Sequence, residues 1–171
     1  MSRIIPGVPT PRSGDPTCVL STCARIIAQV DCVLTVLQGA TGCVEIQLFN
    51  KEGKPLDLDR FSEMHVMLYD ELECVVANFF WPNIPTGCTG HLIEVLQRTT
   101  STGTIVDKGL IKVCLSKECT SRSPGKIFAE IRLTEPATET GGTDDIIGVK
   151  CIWVAQILES LIYKNGCDDG C

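Results

Sequence analysis

The chain has 171 residues, a formal charge of −6 and a pI near 4.9, which suits one domain with an appendage or two very small domains. With 44% hydrophobic and 21% charged residues, it can pack a core, and wholesale disorder is excluded. The 15 Lys and Arg residues are scattered, which argues against nucleic acid as a partner. Two histidines, His65 and His91, leave few ways to build a His-based catalytic or zinc site.

Residues 1–15 carry Pro6, Pro9, Pro11, Gly7 and Gly14, and this proline density predicts an extended arm. Asp15-Pro16 then reads as a helix start, with Asp as N-cap and Pro at the first helical position. Apolar residues follow at Val19, Cys23, Ile26, Val30, Val33 and Leu37, spaced alternately four and three. That spacing predicts an amphipathic helix over residues 16–39 carrying a heptad seam, with Gly39 as its stop. The seam residues are the candidate oligomer interface, and their β-branched character points to a trimer or higher ring. The same β-branched content leaves a strand reading open. Arg25 and Asp31 fall mid-run, so the segment is not expected to span a membrane.

Beyond Gly42 the apolar period changes to two. Val44, Ile46 and Leu48 predict a strand that ends in the turn Asn50–Gly53. Residues 54–59 read as a connector from one sheet to the next. Met64, Val66 and Leu68 predict a second strand, and Cys74–Phe80 a third that closes at Trp81-Pro82. His91–Arg98 is ambiguous between a strand and a short helix. Ile111–Leu115 and Ile127–Leu133 alternate, and the acidic, Thr/Gly-rich stretch Glu135–Asp145 predicts a mobile loop. The last run places Ile147, Val149, Cys151, Trp153, Ala155 and Ile157 on one face. Short alternating strands divided by turns predict a mainly β fold: an Ig-like antiparallel sandwich over residues 43–163, with a flexible tail at 164–171.

Eleven cysteines are present. The start of the chain has no apolar secretory segment, and Cys23, Cys32, Cys74, Cys114 and Cys151 lie in apolar runs. Reduced core thiols in a protein folded in a reducing cytoplasm are therefore expected. Cys167 and Cys171 lack the companion ligands of a zinc site. Asp57/Asp59 and Asp144/Asp145 lack the ligand pattern of a calcium loop and read as solvated charge. His65 and His91 have no accompanying nucleophile signature and read as surface or partly packed side chains. Trp81 and Trp153 read as core or interface anchors. No catalytic residue, cofactor or metal is expected, and an enzyme such as a hydrolase is the least favoured class.

The order of segments Val44–Phe49, Phe61–Tyr69, Lys108–Leu115, Ser123–Leu133 and Ile146–Trp153 resembles the small β-sandwich modules of tailed-bacteriophage virion proteins. These include upper-baseplate N-terminal domains and head-fibre or collar modules. The resemblance covers roughly residues 43–160 and rests on strand and turn cadence. It implies a non-enzymatic structural or attachment component of the virion, folded in the host bacterial cytoplasm. Its implied partners are copies of itself and other virion proteins. The cysteine content departs from such modules. A carbohydrate- or protein-binding sandwich for host recognition is the alternative reading.

Overall fold

A computed structural model describes residues 25–161. The extended arm, the first part of the expected helix, Val19, Cys23 and the tail at 164–171 lie outside the described residues.

The described chain forms β1 (Ile26–Gln29), β2 (Leu34–Leu37), β3 (Gly42–Asn50), β4 (Glu63–Asp70), β5 (Val75–Trp81) and β6 (His91–Leu92). It continues through β7 (Glu94–Val95), β8 (Arg98–Thr99), β9 (Ile105–Val106), β10 (Leu110–Leu115), β11 (Gly125–Glu135) and β12 (Asp145–Leu158). A 3-10 turn, Leu58–Arg60, precedes β4, and a one-turn helix α1, Lys117–Thr120, precedes β11. The protein is mainly β. One sheet has the strand order β1-β3-β10-β7, and a larger one has the order β2-β12-β11-β4-β5-β6. Strands β8 and β9 form a small separate ribbon.

Alternation explains the core. Val44, Ile46 and Leu48 of β3 and Ile111 and Val113 of β10 turn inward from the first sheet. From the larger sheet come Val66 and Leu68 of β4 and Ile127, Ala129, Ile131 and Leu133 of β11. All belong to one buried cluster, and each large aliphatic contributes about 1.5–3 kcal/mol on full burial. The expected strands at 44–49, 64–69, 111–115 and 127–133 all form, and residues 51–62 carry the chain from one sheet to the other. His91–Arg98 resolves into three short strands, with His91 in β6. No helix among the described residues is long and apolar enough to cross a membrane.

The expected helix is corrected over its described part. Residues 26–29 are a strand in the four-stranded sheet, antiparallel to β3. Residues 34–37 are a strand in the larger sheet, parallel to β12. Ile26 and Ala28 point inward and Ile27 and Gln29 outward, which is a period of two. β-Branched residues at Ile26, Ile27, Val30, Val33, Thr35 and Val36 favour the pleated conformation. Asp31-Cys32 sits in the bend where the chain leaves one sheet for the other. Gly39 does end the segment, but in a turn after β2, at φ 76°.

The final strand departs from strict alternation. Ala129 faces Ile152 while Ile131 faces Val149, so Lys150 and Cys151 together oppose Glu130. Ile127 faces Ala155 while Phe128 faces Trp153, which leaves Val154 as a second extra residue. These two bulges turn Ile152 into the core and leave Cys151 and Trp153 only half-buried.

The cysteine expectation is also corrected. Cys43 and Cys114 stand opposite each other on β3 and β10 and are joined by a disulfide. Cys151 is disulfide-bonded as well. Cys32, Cys74 and Cys88 are free but exposed, and only Cys119 among the described free thiols is buried. An apolar run in a strand points every second residue outward, so membership of the run does not bury a cysteine.

Candidate interaction face

The outer face of the larger sheet gathers side chains that alternate with its core residues. On β4 these include His65 and Tyr69, and on β11 they include Phe128, Glu130 and Arg132. Strand register sets Phe80 of β5 and Arg132 of β11 on either side of His65. The His65 ring stacks on Phe80 with centroids 4.6 Å apart and planes 10° from parallel. His65 Nε2 also shares a 2.9 Å hydrogen bond with Asn78 Oδ1, which fixes the ring's orientation.

A cleft of about 430 Å³ opens beside this stack, lined by Phe80, Trp81, Pro82, Arg132 and Ile146 among others. A shallower one of about 270 Å³ adjoins it, shares Arg132 and Ile146, and adds Glu130, Gly148 and Lys150. Glu130 holds the Arg132 guanidinium by contacts of 2.6 and 2.8 Å. Gly148 stands opposite Arg132, and a Cβ there would lie 3.0 Å from the Ile131 carbonyl oxygen. The absence of a side chain keeps the floor open between Arg132 and Lys150. Ile146 is 65% exposed at the rim.

The face is also braced by aromatic and cationic contacts. Tyr69 and Phe128 stack at 6.0 Å, Lys150 lies over the Tyr69 ring at 5.6 Å, and Lys126 lies over Trp153 at 5.1 Å. Tyr69 and Phe128 are only 2% and 3% exposed, so what the surface offers is the exposed Ile146, half-buried Phe80, a fixed guanidinium and a positioned imidazole. Such a set can stack against a planar or sugar ring and bond a carboxylate, phosphate or carbonyl.

The seam expected from the sequence is not brought together. Ile26 is 1% exposed in the core of the four-stranded sheet. Val30 packs partly buried against that core, and Val33 lines a cleft on the outer side of the same sheet's β3 and β10. Leu37 lies in the larger sheet, 53% exposed and in register with Leu158 of β12. Of the acidic pairs, Asp59, Asp144 and Asp145 are exposed, as solvated charge would be, and Asp57 is half-buried. Asp57 caps the 3-10 turn and accepts from Gln97 Nε2 at 2.9 Å, while Asp145 pairs with Arg25. Groups of three or more metal-binding side chains do not occur among the described residues. Trp81 and Trp153 are both half-buried. The His65–Phe80–Arg132 grouping escaped sequence reasoning. Alternation marks each residue as outward, but only the pairing of β5, β4 and β11 makes them neighbours.

No known protein family matches this sequence, and no curated protein matches it.

Proposed function

We propose that this chain is a non-enzymatic interaction module serving as a structural or attachment component of a bacteriophage virion, in a tail, collar, baseplate or head fibre, and working in multiple copies. The observation that carries the interaction reading is the outer face of the larger sheet. Trp and Arg are enriched at the energetic centres of protein interfaces; outward-facing Arg132 lines one cleft there with Ile146 at its rim, and Trp81, which packs partly on the core, closes the cleft's end. The strand order supports an Ig-like sandwich of the variable type. The order β1-β3-β10-β7 matches strands A, B, E and D, and β12-β11-β4-β5 matches G, F, C and C′, while β6 runs parallel to β5 and departs from C″. The virion assignment rests on the strand-and-turn resemblance described above.

Light scattering coupled to size exclusion, on the full chain at tens of micromolar, tests the multimeric reading. A defined oligomer is expected, and the double variant Arg132→Glu/Ile146→Asp, at two exposed positions, should dissociate it without lowering Tm appreciably. A monomer at that concentration that also fails to bind purified phage particles overturns the proposal. The stacked His65–Phe80 pair beside the cleft supports a second reading, recognition of a host carbohydrate or protein. Saturable glycan binding by a monomer, abolished by Trp81→Ala, would select that reading instead.

A further inference from the structure

Strand β1 pairs with β3 only from Gln47 to Asn50, because the chain leaves that sheet after Gln29 to become β2 in the other. The first half of β3 therefore faces the crossover instead of a paired strand. A cleft of about 540 Å³ fills this place, lined by Cys32 of the crossover, Cys43 and Glu45 of β3 and Lys112 of β10. Leu34 holds the crossover close: a Cβ on Gly42 would lie 2.9 Å from the Leu34 methyl carbons. Cys32 is a free, exposed thiol, and Cys43 carries the disulfide to Cys114. Cys43 and Cys114 are themselves exposed. Cys43 lines the cleft together with Cys32, and Cys114 does not, which singles out Cys43 as the half of the disulfide that shares this space with the thiol. Cys74 and Cys88, the other exposed free thiols described, line no part of it.

We propose that Cys32 and the Cys43–Cys114 disulfide form an internal thiol–disulfide exchange couple. Cys32 gives its proton to solvent, and the thiolate attacks Cys43 Sγ. The Cys32–Cys43 bond forms as the Cys43–Cys114 bond breaks, and the electron pair leaves on Cys114, which takes up a proton from water. One disulfide is exchanged for another, so no oxidant or reductant is consumed. The exchange moves the covalent tie of β3 from its sheet neighbour β10 to the segment that links the two sheets. It also places a free Cys114 thiol on the outer face of the four-stranded sheet.

The test uses the full chain and peptide mapping without reduction. The unaltered protein is held near pH 8.5, close to the ordinary thiol pKa, with no added thiol, and is trapped with an alkylating reagent. Expected products are a peptide joining Cys32 to Cys43 and alkylated Cys114, formed at a rate independent of protein concentration. In Cys32→Ser, Cys114 should stay unlabelled. In Cys114→Ser, with oxidised glutathione as oxidant, Cys32 and Cys43 should join with loss of two hydrogens. Equal Cys114 labelling in the unaltered chain and Cys32→Ser overturns the proposal. So does separate glutathionylation of Cys32 and Cys43 in Cys114→Ser with no peptide joining them.

Discussion

The Tyr69 hydroxyl on β4 accepts a 3.0 Å hydrogen bond from the backbone N–H of Cys151 on β12, reaching over β11, which lies between them. Cys151 has φ 67° and no register partner on β11, so the bulge leaves its N–H to be satisfied by a side chain. The phenol is thus the brace that makes the bulge tolerable in the middle of the sheet. Tyr69→Phe should lower stability by about 1–3 kcal/mol, because the N–H loses its acceptor while the ring packing survives. Urea denaturation measures the loss, with the m-value expected to stay constant.

The same phenol predicts an alkaline limit. Burial pushes its pKa up to about 12, opposed by the Cys151 N–H and reinforced by the Glu130 and Glu73 carboxylates. The folded value lies above the unfolded value near 10, so the folded state holds this proton more tightly between the two. The contribution is present in full below pH 10 and is lost as pH rises through 12, on the order of 2 kcal/mol in all. Tyr69 and Tyr163 are the two tyrosines. In Tyr163→Phe, absorbance at 295 nm should therefore report phenolate formation near pH 12 in the folded protein, and near pH 10 in urea.

Ile26 and Leu37 distinguish the observed sheets from a helical seam. On a shared seam the two would respond alike to a carboxylate. In the strands, Ile26 is 1% exposed and Leu37 is 53% exposed. Ile26→Asp should cost more than about 4 kcal/mol, since it buries a charge with no partner in a packed core. Leu37→Asp should change stability by less than about 1 kcal/mol. Thermal unfolding of both variants decides the matter. Equal, small losses would restore the helical arrangement.

The strands from Gly42 onward were legible because each buries one face, and one-sided burial writes a period of two into the sequence. Residues 26–37 were not, because four apolar positions there, Ile26, Val30, Val33 and Leu37, satisfy a heptad while being split between two sheets. The break at Asp31-Cys32 is too short to register as a turn. The β12 bulges were hidden for a related reason: an inserted residue among apolar neighbours leaves the composition of the run unchanged. The interaction face and the Cys43–Cys114 pair depend on contacts between strands far apart in sequence. Composition constrains such pairings weakly, and the 71-residue separation of that disulfide shows the distance involved.

The disulfide closes a long loop, so its removal should be felt mainly through the unfolded chain. For a separation of 71 residues, loop-closure entropy gives about 4 kcal/mol. Cys43→Ser/Cys114→Ser should approach that loss, and the hydroxyls remain wet because both positions are exposed. Guanidinium unfolding should show a lower midpoint in the double variant than in the oxidised parent. Dithiothreitol should bring the parent toward the variant.

Gly109 tests how closely the two sheets' connections are fitted. Its φ is 77°, and a Cβ would lie 2.5 Å from the Leu48 carbonyl oxygen and 3.0 Å from the Leu56 nitrogen. The position is held by two hydrogen bonds. Leu48 N–H donates to the Gly109 carbonyl at 2.8 Å, and Gly109 N–H donates to Gln97 Oε1 at 3.1 Å. Gln97 Oε1 also accepts from Leu58 N–H at 3.0 Å, which ties the β3–β4 connector to the turn before β10. The turn therefore cannot retreat from a new methyl group without breaking this bonding. Gly53 has nearly the same conformation, φ 80°, but nothing within 4 Å of a Cβ. Gly53→Ala should cost only the left-handed backbone penalty of about 1–2 kcal/mol. Gly109→Ala should cost that amount plus a steric term of about 1–3 kcal/mol. The difference between the two midpoints in urea isolates the close approach, and equal losses would mean that the turn moves freely from β3.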